Sequence, residues 1–203
     1  MVKPPVFVVN TVMNDRLQIV CMVAGDAIAA HREGIKTSAS IFGVKIPGVA
    51  DLVIANSRPM DQDLRQGLKA LANTIRAMKP GGVMLTLVRA DEGVGEFHLA
   101  DRKLMGRGPL QILAPVLVRA LPRLKLKNMN DETRFFLYFA LQAMCRGLLL
   151  AYAPTLPAEK KANLPFLLFP ESPQAAITAA QRRLPRRAEV LVFPFGGSTY
   201  PIV

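Results

Sequence analysis

The feature that most constrains this chain is a set of short, almost wholly apolar runs separated by helix-like stretches. The runs are "DLVIAN" at 51–56, "VMLTLVRA" at 83–90, "LLLAYA" at 148–153 and "EVLVFPF" at 189–195. Strands that are apolar on both faces must be covered on both faces, which is typical of parallel sheets in α/β proteins. The sequence therefore predicts an α/β fold with a parallel or mostly parallel, Rossmann-like sheet and helices on both faces.

Helix signals lie between these runs. Residues 61–78 carry a leucine stripe at helical spacing and precede Pro80-Gly81-Gly82, so one helix is predicted to continue up to that tripeptide. Further helices are predicted at 109–121 with an interruption near Pro115, at 131–146 after Asn130 or Asp131, and at 172–184 from Ser172 and Pro173. A short strand is predicted at 166–169, "FLLF".

The start of the chain is organised differently. The β-type runs at 6–13 and 17–24 flank the polar turn Asn14-Asp15-Arg16, which predicts a hairpin. Asp26 is a suitable N-cap for a helix over "AIAAHREGIKTSASIF". The sequence therefore predicts a hairpin followed by a helix before the α/β part begins.

A break in the pattern separates the two parts. "GVKIPGVA" at 43–50 contains two Gly and one Pro and has no regular periodicity. We therefore predict a connecting segment at 1–48, related to another domain, and an α/β domain at 49–203.

Charge limits the classes of partner. The formal net charge is +11, and most of the excess lies in the second half of the chain. The basic clusters are Arg102-Lys103, Arg119–Lys127 and "RRLPRR" at 182–187, and none has interleaved aromatics or a nucleic-acid motif. A solvated basic face is the preferred interpretation, an acidic protein partner or a phosphate-bearing cofactor stays open, and nucleic-acid binding is disfavoured.

Compartment is inferred from hydropathy and cysteine usage. No apolar run approaches the roughly 20 residues that a membrane helix needs, and the first residues do not form a convincing signal peptide. Cys21 and Cys145 stand in apolar settings, which predicts two buried free thiols rather than a disulfide. We expect a cytoplasmic protein without a membrane span.

Residues that carry chemistry are few. His31 and His98 are the only histidines and lie on separate segments, so neither a metal site nor a two-histidine acid/base pair is predicted within the chain. "DEGVGE" at 91–96 lacks the G-x-G-x-x-G fingerprint and predicts a turn. Its Glu92 and Glu96 are acid/base candidates only if they are buried.

Gln66 and Lys69 are the candidate site residues. They lie one turn apart near the start of the predicted 61–78 helix. This helix start is expected at the carboxyl ends of the strands, where ligands of α/β proteins bind. Lys69 could hold a carboxylate or phosphate as a point charge, and Gln66 could donate and accept beside it. The same helix face also carries Asn73 and Arg76, so spacing alone favours an ordinary solvated surface.

Several stretches resemble the nickel-dependent lactate racemase family. "FVVNTVMNDRLQIVCMVAGDAIAAHREG" resembles the segment that joins the two halves of these enzymes. "DLVIANSRPMDQDLRQGLKALANTIRAMKPGG" resembles the opening of their second domain, with its Gln-x-x-Lys and Gly-Gly stop. "RADEGVGE" and "VLVFPFGGSTYPIV" are also similar. The resemblance covers essentially the whole chain but only the C-terminal part of the family's length.

The resemblance implies an activity. In this family a nickel-pincer nucleotide takes hydride from the 2-carbon of a 2-hydroxy acid and returns it to either face. The acid/base histidines, the nickel ligand and the lysine that carries the cofactor belong to the N-terminal domain, which this chain lacks. Gln66 and Lys69 match the Gln-x-x-Lys of the second domain, so the resemblance assigns them the positioning of substrate or cofactor. No cofactor is expected in this chain itself, and the nickel-pincer nucleotide is implied only together with an N-terminal half.

Two functional hypotheses follow. The first is the C-terminal domain of a lactate-racemase-like isomerase acting on a small 2-hydroxy acid, inactive without its N-terminal half. The chain would then be an excised part, a separately encoded half or a degenerate paralogue. The alternative is a non-catalytic binding or regulatory module of the same fold with an acidic protein partner. If residues 1–48 normally complete another domain, their exposed hairpin would also favour a homodimer.

Overall fold

The chain divides into a small and a large unit. The computed structural model describes residues 6–123 and 130–202, so residues 124–127 of the second basic cluster lie outside the described part. The small unit is Met1–Lys45 with Ile202, and the large unit is Ile46–Pro201. The division falls within the irregular 43–50 stretch, and the relation of the small unit to another domain stays a prediction.

A hairpin and a helix form most of the small unit. Its elements are strands β1 (Phe7–Met13) and β2 (Ile19–Asp26), helix α1 (Ala27–Phe42) and the short strand β3 (Gly43–Lys45). β1 and β2 pair antiparallel. Oδ1 of Asp26 accepts hydrogen bonds from the backbone N–H groups of Ile28 at 3.1 Å and Ala29 at 3.0 Å. The predicted hairpin and helix are confirmed, and local turn and cap chemistry explains both.

One face of the hairpin is covered within the small unit and the other is bare. Val12 and Val23 pack on α1, where a Cβ added to Gly34 would lie 3.8 and 3.6 Å from their side chains. The opposite face carries large apolar side chains, including Phe7 with 73% of its surface exposed and Met22 with 61%. Because contiguous bare apolar surface is rare on soluble monomers, this face is suited to covering by another polypeptide surface.

The apolar runs of the large unit pair into one parallel sheet. Its strands are β4 (Ala50–Asn56), β5 (Met78–Leu87), β6 (Leu148–Tyr152) and β7 (Val190–Phe193), in the order β6-β5-β4-β7. All three strand pairings are parallel. A further strand, β8 (Tyr200–Ile202), follows near the end of the chain. The predicted parallel sheet is confirmed, although "FLLF" contributes only a single bridge, from Leu168 to Leu150.

Helices cover both faces of this sheet. They are α2 (Leu64–Thr74), α3 (Arg107–Ala120), α4 (Asp131–Arg146), α5 (Ala158–Ala162) and α6 (Pro173–Gln181). On one face, Val53 and Met84 belong to the main hydrophobic core together with residues of α2, α3 and α4. On the other face, Leu52 and Leu85 pack with Ala176 of α6. Successive strand residues alternate between the two layers, which is why each run had to be apolar throughout.

The predicted end of the helix at Pro80-Gly81-Gly82 is wrong. Helix α2 ends at Thr74, a 3₁₀ turn occupies Ile75–Ala77, and β5 begins at Met78. Met78 pairs with Ala50, and the next regular partner is Val83 opposite Leu52. The tripeptide therefore forms an irregularity inside the strand, where Gly81 has a φ of +83°.

The predicted interruption at Pro115 is also wrong, because α3 is continuous from Arg107 to Ala120 with the proline inside it. A proline in this position leaves the carbonyl of the residue four earlier without its helical partner. That residue is Gln111, which is exposed, so water can satisfy the carbonyl. The short helix α5 was not predicted from the sequence.

The structure tests two predictions, one on the cysteines and one on a membrane span. Both cysteines are free thiols, but Cys145 is exposed and Cys21 is half-buried, so the prediction that both are buried is wrong. Across the described ranges, no helix is both long and apolar enough to cross a bilayer.

Candidate functional site

An apolar cavity lies between α2 and α4 on one face of the sheet. Its volume is about 340 Å³, which falls in the range of about 300–1,000 Å³ typical of small-molecule sites. The lining consists of Arg65, Gln66, Leu68, Lys69, Leu71 and Ala72 of α2, Phe135, Phe136, Phe139, Ala140 and Ala143 of α4, Leu149 of β6, and Phe97, Phe166 and Leu167 from connecting segments. The described lining contains no acidic side chain.

Side-chain size explains why a cavity exists here. Phe136 packs edge-on against Phe97 and Phe135, with ring centroids 5.3 and 5.8 Å apart. Ala72 of α2 and Ala140 of α4 also line the cavity, and their short side chains leave space beside these rings. Interiors normally pack with few voids larger than a water molecule, so a space of this size is available to a ligand.

Gln66 and Lys69 both line this cavity. Gln66 is half-buried and Lys69 is exposed. In residues 6–123 and 130–202, neither the Gln66 side-chain amide nor the Lys69 ammonium has a hydrogen-bond or ion-pair partner. The two residues therefore place an unengaged donor–acceptor and an unengaged cation at one apolar cavity, and their catalytic role stays a prediction.

The first turn of α2 fixes where these two side chains emerge. Oδ1 of Asp63 accepts a hydrogen bond from the backbone N–H of Gln66 at 2.7 Å, which caps the helix. Gly95 lies against this cap, since a Cβ added there would lie 2.5 Å from Cγ of Asp63. The "DEGVGE" turn is therefore a packing partner of the helix start, and its glycine leaves room for the capping carboxylate.

Arg65 also lines the cavity, but its charge is already engaged. Its guanidinium forms an ion pair with Glu132 at the start of α4 and lies over the ring of Phe136, 5.8 Å from the centroid. Nε of Arg65 is buried without a hydrogen-bond partner among the described residues. The ion pair bridges α2 and α4. Arg65 therefore forms part of the cavity wall and does not offer a free charge to a ligand.

Sequence reasoning missed the aromatic half of the site. The available signal was "RFFLYF" at 134–139, an aromatic-rich run inside a helix that was correctly predicted. Phe135 has 62% of its surface exposed, which is unusual for a ring that only fills a core. The run showed that α4 carries rings but gave no sign that they face α2.

Two loops at the carboxyl end of the sheet, those after β4 and β7, are held by hydrogen bonds to α2. Oγ of Ser57 donates to the carbonyl of Gly67 at 2.9 Å. Nδ2 of Asn73 donates to the carbonyls of Gly196 and Gly197, both at 3.1 Å. The described loops that follow β4 and β7 contribute no residue to the cavity. The cavity between α2 and α4 lies on the helix-covered face of the sheet, and the loop that follows β5 contributes Phe97 to its lining.

The remaining candidates lie outside the cavity. Glu92 and Glu96 are exposed, so the burial that an acid/base role would require is not met. His98 is exposed with Nδ1 3.7 Å from Oδ2 of Asp101. The hydrogen bond that Lys160 donates to Asp101 at 2.5 Å holds the pKa of that carboxyl below its usual value. Within the described ranges, no group of three or more His, Cys, Asp or Glu is placed to hold a metal ion.

The fold of this chain is similar to that of one half of a solved lactate racemase. The lactate racemase apoprotein from Thermoanaerobacterium thermosaccharolyticum matches with a TM-score of 0.70 and 18% identity, over 97% of this chain and 46% of that chain. A Thermotoga maritima protein solved by structural genomics matches with a TM-score of 0.53 and 8% identity, over 97% of this chain and 48% of that one.

These comparisons establish a similarity of fold and not an activity. No protein-family model matches the chain, and no curated protein matches it. The chain spans about half the length of the solved structures that it matches. The resemblance seen in the sequence is thus confirmed as a resemblance of fold, and similar folds host different activities.

Proposed function

We propose that this chain is the C-terminal domain of a lactate-racemase-like isomerase that racemises or epimerises a 2-hydroxy acid, and that it is inactive without an N-terminal half. The observation that carries the proposal is the position of Gln66 and Lys69. The residue pair that the family resemblance assigns to the substrate lines a single cavity, with both side chains free of partners in the described structure. The racemase-like fold supports the same assignment.

The two side chains have separate tasks in this proposal. The Lys69 ammonium holds the substrate carboxylate or an oxyanion, and the Gln66 amide donates to or accepts from the neighbouring hydroxyl. The walls of the cavity are apolar, and an N-terminal half that covered its open side would exclude water, so these polar contacts would act more strongly than in bulk solvent. Their contribution is orientation and charge, because no histidine lies in the lining to move a proton.

The cofactor belongs to the other half in this proposal. Among the described residues, no cluster of His, Cys, Asp or Glu is suited to nickel, and the proposal places the nickel site in the other half. A nickel-pincer nucleotide bound by an N-terminal half would supply the acceptor and donor of hydride. Gln66 and Lys69 are the residues of this chain that would face it.

The bare hairpin face supports a two-part assembly. Val9 and Met22, exposed by 59% and 61%, stand on the hairpin face that α1 leaves uncovered. Solved structures of the same fold are about twice as long as this chain. We propose that a racemase-like N-terminal half, on the same or another polypeptide, covers this face, and that a homodimer through residues 1–48 is the competing occupant.

Reconstitution tests the proposal. A lactate racemase N-terminal half carrying the pincer nucleotide is mixed with this chain, and interconversion of the two enantiomers of a 2-hydroxy acid is followed by chiral chromatography. Racemisation should require both parts. Absence of turnover with every 2-hydroxy acid tried, despite a formed complex, would contradict the catalytic proposal.

A regulatory module is the second candidate. The observation that favours it is a cluster of four exposed arginines after α6, Arg182, Arg183, Arg186 and Arg187, on a chain with a net charge of +11. Such a surface attracts an acidic protein. Capture of an acidic partner that is lost when the four arginines are replaced by glutamine, together with no turnover in reconstitution, would favour this candidate.

A further inference from the structure

The cavity is built for an apolar guest, and this property is separate from the identity of Gln66 and Lys69. Five phenyl rings line it, from Phe97, Phe135, Phe136, Phe139 and Phe166. Phe97 and Phe166 are buried, whereas Phe135 is largely exposed. Edge-to-face packing holds Phe136 between Phe97 and Phe135, so an aromatic or branched aliphatic group entering here would find ring faces and edges to pack on.

The charge at the cavity selects one kind of polar group. Arg65 is engaged by Glu132 and by the ring of Phe136. The Lys69 ammonium has no ion-pair or hydrogen-bond partner among the described residues. The described lining also contains no carboxylate that could neutralise it. A ligand with a single negative charge is therefore complementary, and a cation or a second acidic group would find no counterpart.

We propose that this cavity binds a monocarboxylate with a bulky apolar side chain, aromatic or branched aliphatic, whose carboxylate is held by Lys69 and whose side chain fills the space between α2 and α4. Full burial of a Phe-sized side chain strengthens binding on the order of tenfold to a hundredfold. A methyl group such as that of lactate would leave most of the cavity empty. The statement that this ligand is the substrate rests on the proposed function, whereas the statement that it binds does not.

Direct titration of the full chain tests the proposal. The probes are 3-phenylpropanoate, its neutral amide 3-phenylpropanamide, and lactate, and binding is followed by NMR chemical shifts and calorimetry. The phenyl acid should bind at least about tenfold more tightly than lactate and about fivefold more tightly than the amide, because an exposed charge pair adds a modest term. Equal affinity for lactate, or no saturable binding of the phenyl acid, would overturn the proposal.

Two variants locate the binding. Ala72 is an exposed lining residue of α2, so Ala72→Trp fills the cavity from its open side and should abolish binding. The matched control is Ala175→Trp on α6, whose helix packs on the other face of the sheet. Circular dichroism verifies that both variants are folded. Retained affinity in folded Ala72→Trp would place the ligand elsewhere and overturn the proposal.

The second variant removes the charge of Lys69 and keeps an unbranched side chain at this position of the lining. Lys69→Met should bring the affinities for acid and amide to about the same value while leaving amide binding unchanged. Lys103→Met, at an exposed lysine outside the lining, should preserve the acid preference. An unchanged preference for the acid in Lys69→Met would show that Lys69 does not hold the carboxylate and would contradict the proposal.

The outcomes separate this inference from the proposed function. Tight binding of the phenyl acid with no turnover of 2-hydroxy-3-phenylpropanoate in a formed two-part complex contradicts the catalytic proposal and leaves the cavity assignment standing. Racemisation of lactate by that complex without binding of the phenyl acid contradicts the cavity assignment alone.

Discussion

At the residue scale, Lys69 carries the catalytic proposal. In the proposed two-part enzyme, where an N-terminal half would shield Lys69 from water, Lys69→Ala should lower kcat/KM about a hundredfold, since it removes a positioned charge. Stability should change by less than about 0.5 kcal/mol, because the side chain is exposed and makes no contact that the fold needs. Enantiomer interconversion and thermal melts measure the two effects, with Lys103→Ala as the matched control. Unchanged turnover in Lys69→Ala would take Lys69 out of the site.

Sequence reasoning reached this residue but could not reach its surroundings. The Gln-x-x-Lys spacing and the resemblance are local properties of one segment, so they could single out Gln66 and Lys69. The walls come from Phe135 and Phe139, which lie far along the chain and reach α2 only in the folded structure. Their approach depends on the order in which the strands pair, and no local pattern encodes that order.

Asp51, at the amino-terminal end of the sheet, makes a pH-dependent contribution to the stability of the fold. Its Oδ2 accepts from the backbone N–H of Glu189 at 2.9 Å. Nζ of Lys79 lies 3.1 Å from Oδ2 of Asp51 and 2.6 Å from Oε2 of Glu189. The Glu189 backbone bond first, and Lys79 second, lower the pKa of the Asp51 carboxyl. These contacts join the beginnings of three strands, β4, β5 and β7.

The sign of the effect follows from the direction of the shift. A carboxyl whose pKa is lower in the folded state stabilises the fold above its unfolded value of about 3.9 and loses that contribution as pH falls through the folded value. Asp51→Asn should therefore lower Tm at pH 7, and the difference from wild type should shrink at progressively more acid pH. Asp15→Asn in the exposed hairpin turn is the control. A Tm difference that does not depend on pH would contradict this account.

At the element scale, local caps account for what was predicted well. The starts of α1, α4 and α6 follow from Asp26, Asn130 and Ser172, and all three side chains accept the expected backbone hydrogen bond. The end of α2 was misplaced because it depends on a partner distant in sequence. Met78 pairs with Ala50, which draws the segment into β5 before the Pro-Gly-Gly tripeptide is reached.

The cap of α2 is the element-level support of the site. Asp63→Ala removes the acceptor of the Gln66 N–H and should cost about 1 kcal/mol of unfolding free energy. Asp63→Ser keeps a capping oxygen and should recover most of that loss. Urea denaturation followed by circular dichroism measures both. Because the first turn of α2 positions Gln66 and Lys69, Asp63→Ala should also weaken binding of 3-phenylpropanoate. Undiminished binding by a destabilised Asp63→Ala variant would show that the cap does not support the site.

At the scale of the whole molecule, the chain joins a well-packed α/β unit to a small unit with a bare apolar face. The large unit buries long apolar side chains on both sides of its sheet. The hairpin leaves Phe7, Val9 and Met22 in water. A sequence can reveal alternation in a strand, but apolar residues on both faces of a hairpin give no sign of which face its own helix covers. The sequence suggested an exposed hairpin, but which of its two faces is bare was visible only in the structure.

The last prediction concerns what covers that face. In the proposed two-part enzyme, Val9→Lys combined with Met22→Lys would put charges into the proposed contact and should abolish the one-to-one complex expected in size-exclusion chromatography with light scattering. Ile112→Lys on α3, where the isoleucine is 79% exposed outside the hairpin, is the matched control. If the chain alone forms a dimer that the same double variant breaks, the occupant is a second copy. An unchanged complex in the double variant would show that the N-terminal half binds elsewhere, because a desolvated ammonium on each strand cannot be accommodated against an apolar partner without a large loss of affinity.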